Sequence, residues 1–221
     1  MCHVVHSQSF LSETEKENSC HACIHREALV ECHAELTRLG LLIQEILNEC
    51  MGLPRGFLWA YNDDRTFDFI AARHSFPPAT AEDSTGARAH QDVGCITFVL
   101  QDGVGGLEVL RDDGGWAPVE PVEGSIVVNI GDVVQVLSND KFRSVLHRVV
   151  RKPAEHRYSL VFFFNLHGDK WVEPLPEFAG DVGEAPQYRG FKYGEYLRLR
   201  SNKTNPPARP EDIVDITHYA I

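Results

Sequence analysis

The sequence predicts a mainly β domain with flanking helices, a jelly-roll sandwich or barrel, and three observations carry that prediction. From Thr66 to Asn165 the chain is a series of short runs rich in Val, Ile, Phe and Thr, the composition of pleated, half-buried strands. Clusters of turn residues divide those runs. No segment between them has the helical periodicity that βαβ units need, which argues against a parallel α/β sheet.

Taken in order, residues 1–18 are polar and aperiodic and are expected to be a disordered leader. Residues 19–60 are expected to form a helical N-terminal support. Within it, residues 26–50 read as an amphipathic helix, with Leu29, Cys32, Leu36, Leu39, Ile43, Ile46 and Leu47 on one face at steps of three and four. Gly40 interrupts that pattern, at a cost of about 1 kcal/mol relative to alanine. Gly52-Leu53-Pro54 ends the helix, and a second short helix is expected over 54–60. The jelly-roll core, 61–170, should hold strands at 66–76, 94–101, 105–110, 125–130, 133–137, 145–151 and 157–165. Its turns fall at Asp112-Asp113-Gly114-Gly115, Glu123-Gly124, Asn129-Ile130-Gly131-Asp132 and Ser138-Asn139-Asp140. Residues 171–221 form a polar, proline-containing tail with a helix over 192–201.

Composition narrows the function. The chain has 221 residues, enough for one domain with a sizeable core. Its 21 Lys+Arg against 32 Asp+Glu give a net charge of −11, which disfavours nucleic acid or an anionic membrane as partner. No apolar run approaches a membrane span and nothing resembles a signal peptide, so a cytoplasmic location is expected. The cysteines stand at 2, 20, 23, 32, 50 and 95, five of them in the first 50 residues, unlike a disulfide framework spread through a secreted fold. Cys20, His21, Cys23, His25, Cys32 and His33 offer zinc-type ligands. Their spacing fits no familiar finger, and an ordinary helix is the simpler reading, with Cys32 a small apolar residue.

The chemistry concentrates in five side chains. His90-Gln91-Asp92 is followed 57 residues later by His147, and ten residues further on by Arg157-Tyr158-Ser159. In a strand, residues i and i+2 share a face, so His90 and Asp92 can project together, as can Arg157 and Ser159. His90, Asp92 and His147 would form the 2-His-1-carboxylate triad of a non-haem Fe(II) oxygenase. Arg157 and Ser159 would anchor a diacid, the arginine forking onto its far carboxylate. A His-x-Asp triplet alone is weak, with about one expected by chance, and a second stands at His167-Gly168-Asp169. That one lies in a polar, loop-like stretch without an ordered set of partners and is read as a decoy. A turn at Lys152-Pro153-Ala154-Glu155 is expected to fold 145–151 against 157–165 as a hairpin. In that register Arg157 lies opposite Arg151, roughly 13 Å from the level of His147 at ~3.3 Å per residue. By the same parity Val161, Phe163 and Asn165 face the way of Arg157. Glu108 is read as a strand or surface carboxylate.

These residues sit within a longer ordered set: Phe76-Pro77-Pro78, His90 to Gly94, Thr97 to Asp102, Gly105 to Val109, Val128 to Asp132, Leu137-Ser138-Asn139, Arg143 to Val149, and Arg157 to Ser159. From about residue 26 onward the chain resembles a plant-type 2-oxoglutarate- and Fe(II)-dependent dioxygenase, of the superfamily that includes isopenicillin N synthase. The resemblance implies a double-stranded β-helix with the metal at one mouth. It implies Fe(II), 2-oxoglutarate as cosubstrate, O2, and ascorbate as a candidate reductant. Phe163 matches a substrate-stacking position in related flavonoid enzymes. The implied activity is oxidation of a small organic molecule, of the specialised-metabolite or hormone class, with release of succinate and CO2. Two alternatives are an oxidase of the ethylene-forming, aminocyclopropane carboxylate type, and a truncated non-catalytic relative. Two departures stand out. The chain begins near the family's long helix, so an uncovered flank and self-association are expected. Phe76 also replaces a tyrosine whose hydroxyl often helps to hold 2-oxoglutarate.

Overall fold

A computed structural model describes residues 19–80, 83–179, 184–201 and 214–221, with side chains from residue 26 onward except at Ser201. The expected leader lies outside these residues, and so do the side chains of Cys20, His21, Cys23 and His25. The described chain runs α1 (Ser19–Cys50), α2 (Phe57–Tyr61), β1 (Phe67–Ser75), β2 (Thr85–His90), β3 (Ile96–Gln101), β4 (Leu107–Leu110), β5 (Trp116–Pro118), β6 (Val127–Ile130), α3 (Asp132–Leu137), β7 (His147–Val150), β8 (Arg157–Asn165), β9 (Trp171–Val172), β10 (Phe191–Lys192) and α4 (Tyr193–Ser201), followed by a 3-10 turn at Ile216–Tyr219.

Two four-stranded antiparallel sheets form the core, in the orders β1-β8-β3-β6 and β2-β7-β4-β5. This is the expected jelly roll, and consecutive strands alternate between the two sheets except for β4 and β5, which pair as a hairpin. The hairpin expected between 145–151 and 157–165 does not form. β7 pairs with β2 and β4 in one sheet, while β8 pairs with β1 and β3 in the other. The intervening turn, with Ala154 at a φ of 60°, carries the chain across the barrel instead of back along it. A turn signal marks a reversal but not the strand that will receive the chain.

Side-chain parity divides the larger sheet into two faces. Ile96, Phe98, Phe162 and Phe164 are 0–3% exposed and cross-strand partners in register, so they form one continuous apolar face. α1 packs on it: the His33 ring meets Phe162 edge-on at 5.5 Å, and His33 Nε2 lies 2.8 Å from the Asp68 carboxylate of β1. The opposite parity, Thr97, Val99, Val161 and Phe163, faces the barrel interior.

The expected helical face is rotated at its ends. Leu36 and Leu47 are buried, with Cys32, Leu39 and Ile43 partly so, but Leu29 and Ile46 are 46% and 45% exposed. Gly40 lies at the centre of the contact, where an added Cβ would stand 2.6 Å from the Phe164 ring. The glycine that weakens the periodic signal is what lets helix and sheet approach.

Residues 133–137, expected as a strand, form α3. All of Asp132 to Leu137 is buried, the polar Asp132 and Gln135 included, so no alternation of apolar and polar positions distinguishes helix from strand. β2, β5, β9 and β10 were not anticipated. The tail packs back firmly: Tyr193 and Tyr196 are fully buried, and Phe191 stacks on Tyr219 with ring centroids 4.1 Å apart. α4 falls within one residue of the helix expected over 192–201.

A candidate metal centre and its buried arginine

His90 closes β2 and His147 opens β7, and these residues are cross-strand partners. Their rings stand 4.3 Å apart. Asp92 is not on the strand that carries His90, contrary to the i, i+2 expectation; it lies in the bend that follows β2. Backbone hydrogen bonds hold that bend. The amides of Gly131, Asp132 and Val133 donate to the carbonyls of Cys95, Asp92 and Gly94 at 2.8, 2.8 and 3.0 Å. Gly131 permits this approach, since a Cβ there would sit 2.3 Å from the Gly94 carbonyl oxygen. The Arg200 guanidinium of α4 donates to the Gln91 carbonyl at 2.6 Å.

His90, Asp92 and His147 converge so that their ligating atoms all lie within 4.8 Å of one another. Each imidazole presents the same edge. His90 Nδ1 contacts the Arg88 carbonyl at 2.7 Å and His147 Nδ1 the Val145 carbonyl at 3.0 Å. A carbonyl can only accept, so each Nδ1 carries its proton and each Nε2 offers a lone pair. Those Nε2 atoms stand 3.7 and 3.8 Å from Asp92 Oδ1. The other carboxylate oxygen, Oδ2, accepts a 2.6 Å hydrogen bond from Asn129 Nδ2. The set therefore offers two imidazole nitrogens and one carboxylate oxygen, aimed together and fixed from behind. This donor chemistry fits a divalent first-row metal with coordination positions left open. Burial, and then the neighbouring His147, hold the His90 imidazole below the ordinary histidine range, which favours the neutral form that can ligate.

Arg157 is 3% exposed and lies on the inner face of β8. Its guanidinium donates to the Gly105 carbonyl at 2.7 Å, to Ser159 Oγ at 2.9 Å and to Gln101 Oε1 at 3.0 Å. Among the described residues no carboxylate reaches it within ion-pair distance. Burial pushes its charged form below the usual arginine range, the charge of Asp102 opposes this and that of Arg73 adds to it. A buried cation held by neutral acceptors suits an incoming anion. Gln101 Nε2, beside it, is buried without a hydrogen-bond partner.

Phe163, on the same face, stacks on Phe69 at 4.7 Å and shares a cross-strand position with Thr97. Phe76 turns away: it packs on His74, with centroids 4.2 Å apart, and on His156. The decoy triplet is structural. His167 contacts the Thr66 carbonyl through Nε2, and Asp169 lies 3.7 Å from Arg65 at the surface. Glu108 is the expected strand carboxylate, paired with Arg148 at 2.7 Å. Asn129 and Gln101 escaped sequence reasoning. Parity along β6 and β3 points both side chains into the barrel, but only the β3 register with β6 and β8 reveals which residues they face.

Residues 66–166 match the model of the 2OG-Fe(II) oxygenase superfamily. A tomato 1-aminocyclopropane-1-carboxylate oxidase homolog is 34% identical over 194 residues, 87% of this chain and 48% of that protein. A rice gibberellin 20 oxidase 2 is 37% identical over 180 residues, 80% of this chain and 44% of its own length. Among solved structures, JOX2 in complex with 2OG, Fe and JA superposes with a TM-score of 0.76 at 30% identity, covering 86% of this chain and 57% of that one. The rice dioxygenase for auxin oxidation gives 0.70 at 30% identity, with 87% and 63% covered. The chain spans about half the length of the curated relatives it matches.

Proposed function

We propose, on the premise that residues 66–166 make this chain a member of the 2OG-Fe(II) oxygenase superfamily, that it is an Fe(II)- and 2-oxoglutarate-dependent oxygenase of a small organic molecule. The convergence of His90 Nε2, Asp92 Oδ1 and His147 Nε2 carries this reading. These atoms would hold the iron, and the Asn129 contact would keep the Asp92 carboxylate turned toward it. Bound iron supplies the O2 activation and the oxidative chemistry. Arg157 would bind the far carboxylate of 2-oxoglutarate through the fork now spent on neutral acceptors, with Ser159 completing the contact. Phe163 and Phe69 would form an apolar wall that positions the substrate and excludes water. The expected substrate is a specialised metabolite or hormone, and the acidic net charge agrees with a small-molecule partner. A cytoplasmic location belongs to the same reading.

Loading the protein with Fe(II) and 2-oxoglutarate without O2 tests it. A visible absorption band of the chelated keto acid should appear and saturate. No band, with protein that remains folded, would contradict the assignment.

A second reading has its own support, since several curated relatives at 34% identity are 1-aminocyclopropane-1-carboxylate oxidases or homologs of them. Such an oxidase would turn over without consuming 2-oxoglutarate. Succinate formed in proportion to product selects the first reading, and product without succinate selects the second.

A further inference from the structure

Arg73 stands on β1, directly across the ladder from Ser159. Partners across an antiparallel pair share a face, so Arg73 projects to the same side as Ser159 and Arg157. Phe69, four residues earlier on β1, shares that face and stacks on Phe163. Burial is the main cause that lowers the pKa of both His90 and Arg157, and the charge of Arg73 adds a smaller push in the same direction to each.

Arg73 has no hydrogen-bond or ion-pair partner among the described residues. Among the described residues no acidic side chain is set against this cation, and a second guanidinium shares its face. Solvent screens this exposed cation in the free protein, and a bound acid would supply the anion that it lacks. The proposed cofactors do not supply that anion. Ferrous iron and Arg157 together bring three positive charges, and Asp92 with the 2-oxoglutarate dianion brings three negative ones. Arg73 is left as the surplus charge.

Arg73 and Phe69 lie roughly 13 Å apart along β1 at ~3.3 Å per residue, and an arginine directed along the strand covers about half of that. The remaining span suits a molecule with an anionic end and an apolar ring. The planar guanidinium favours a carboxylate, which it can grip with two parallel hydrogen bonds.

We propose that Arg73 anchors a carboxylate of the organic substrate, so that this site selects an acid whose apolar part lies on the Phe69–Phe163 pair. The proposal rests on the oxygenase reading of the same cavity. Its test separates the two. Wild-type protein, Arg73→Gln and Arg73→Lys, each loaded with Fe(II) and 2-oxoglutarate without O2, are titrated by calorimetry with phenylacetate, 3-phenylpropionate and 4-phenylbutyrate, and with the matching neutral amides. At least one acid should bind wild type about tenfold or more tighter than its amide. That preference should vanish in Arg73→Gln and survive in part in Arg73→Lys, while the 2-oxoglutarate titration stays within about twofold in all three. Arg73 is exposed, and circular dichroism should show each variant folded. Equal binding of acid and amide by wild type, no saturable binding of any acid, or an unchanged preference in Arg73→Gln would overturn the proposal. So would an Arg73→Gln variant that loses 2-oxoglutarate instead, which would assign the cation to the cosubstrate. A missing absorption band in wild type refutes the oxygenase reading separately, because calorimetry reads the acid preference without it.

Discussion

His90 and His147 touch the backbone through Nδ1 and leave Nε2 free, and this fixes what each substitution should do. Replacing His90, Asp92 or His147 by alanine should abolish Fe(II)-dependent turnover and leave the barrel folded, as circular dichroism and an activity assay on each variant would show. Asp169→Ala, in the decoy triplet, should leave turnover unchanged. Asn129→Ala acts one step back. It frees the Asp92 carboxylate to rotate, and iron affinity should fall about 10- to 100-fold, measured by competition against a chromophoric chelator under anaerobic conditions. Arg157→Gln should weaken 2-oxoglutarate on the order of 10- to 1000-fold while sparing iron, since a charge-assisted contact in a buried site is worth a few kcal/mol. Unchanged 2-oxoglutarate affinity would favour the ethylene-forming type. The convergence of His90, Asp92 and His147 and the contact of Arg157 with Ser159 were legible because their order and spacing stand in the sequence itself. Asn129, Gln101 and Arg73 were not, because their roles come from partners 37, 56 and 86 residues away in the chain.

Among the elements, short apolar runs with clear turns were legible: β1, β3 and β8 fall within two residues of the expected strands. α3 was misread because complete burial erases the periodic contrast on which helix and strand assignments rest. The bend holding Asp92 was misread because the i, i+2 rule presumes that the strand continues, whereas the α3 amides draw the chain out of the sheet. α1 gives a sharp test. Gly40→Ala should gain about 1 kcal/mol of intrinsic helix stability. Its Cβ, however, meets the Phe164 ring at 2.6 Å, and overpacking of this kind costs about 1–3 kcal/mol. Denaturant melts should therefore show net destabilisation. A gain would mean that α1 can shift on the sheet.

At the scale of the whole molecule, jelly-roll class was legible from strand texture, but the division into two sheets was not, since pairing partners lie far apart in sequence. β1 ends one sheet, with Phe67 and Phe69 42% and 45% exposed, so the face that carries Phe163 is open at this edge among the described residues. Water should enter readily, and succinate release should exceed substrate oxidation in paired assays; equal yields would show that the cavity closes in use. One site is expected to hold iron through His90, Asp92 and His147 and a keto diacid through Arg157. Anaerobic titration of 2-oxoglutarate into the Fe(II)-loaded protein, followed by visible absorption, tests it most directly. A saturable band is expected in wild type, with its loss in His147→Ala and a shift to higher 2-oxoglutarate concentration in Arg157→Gln. A band that persists in His147→Ala, or that saturates identically in Arg157→Gln, would contradict it.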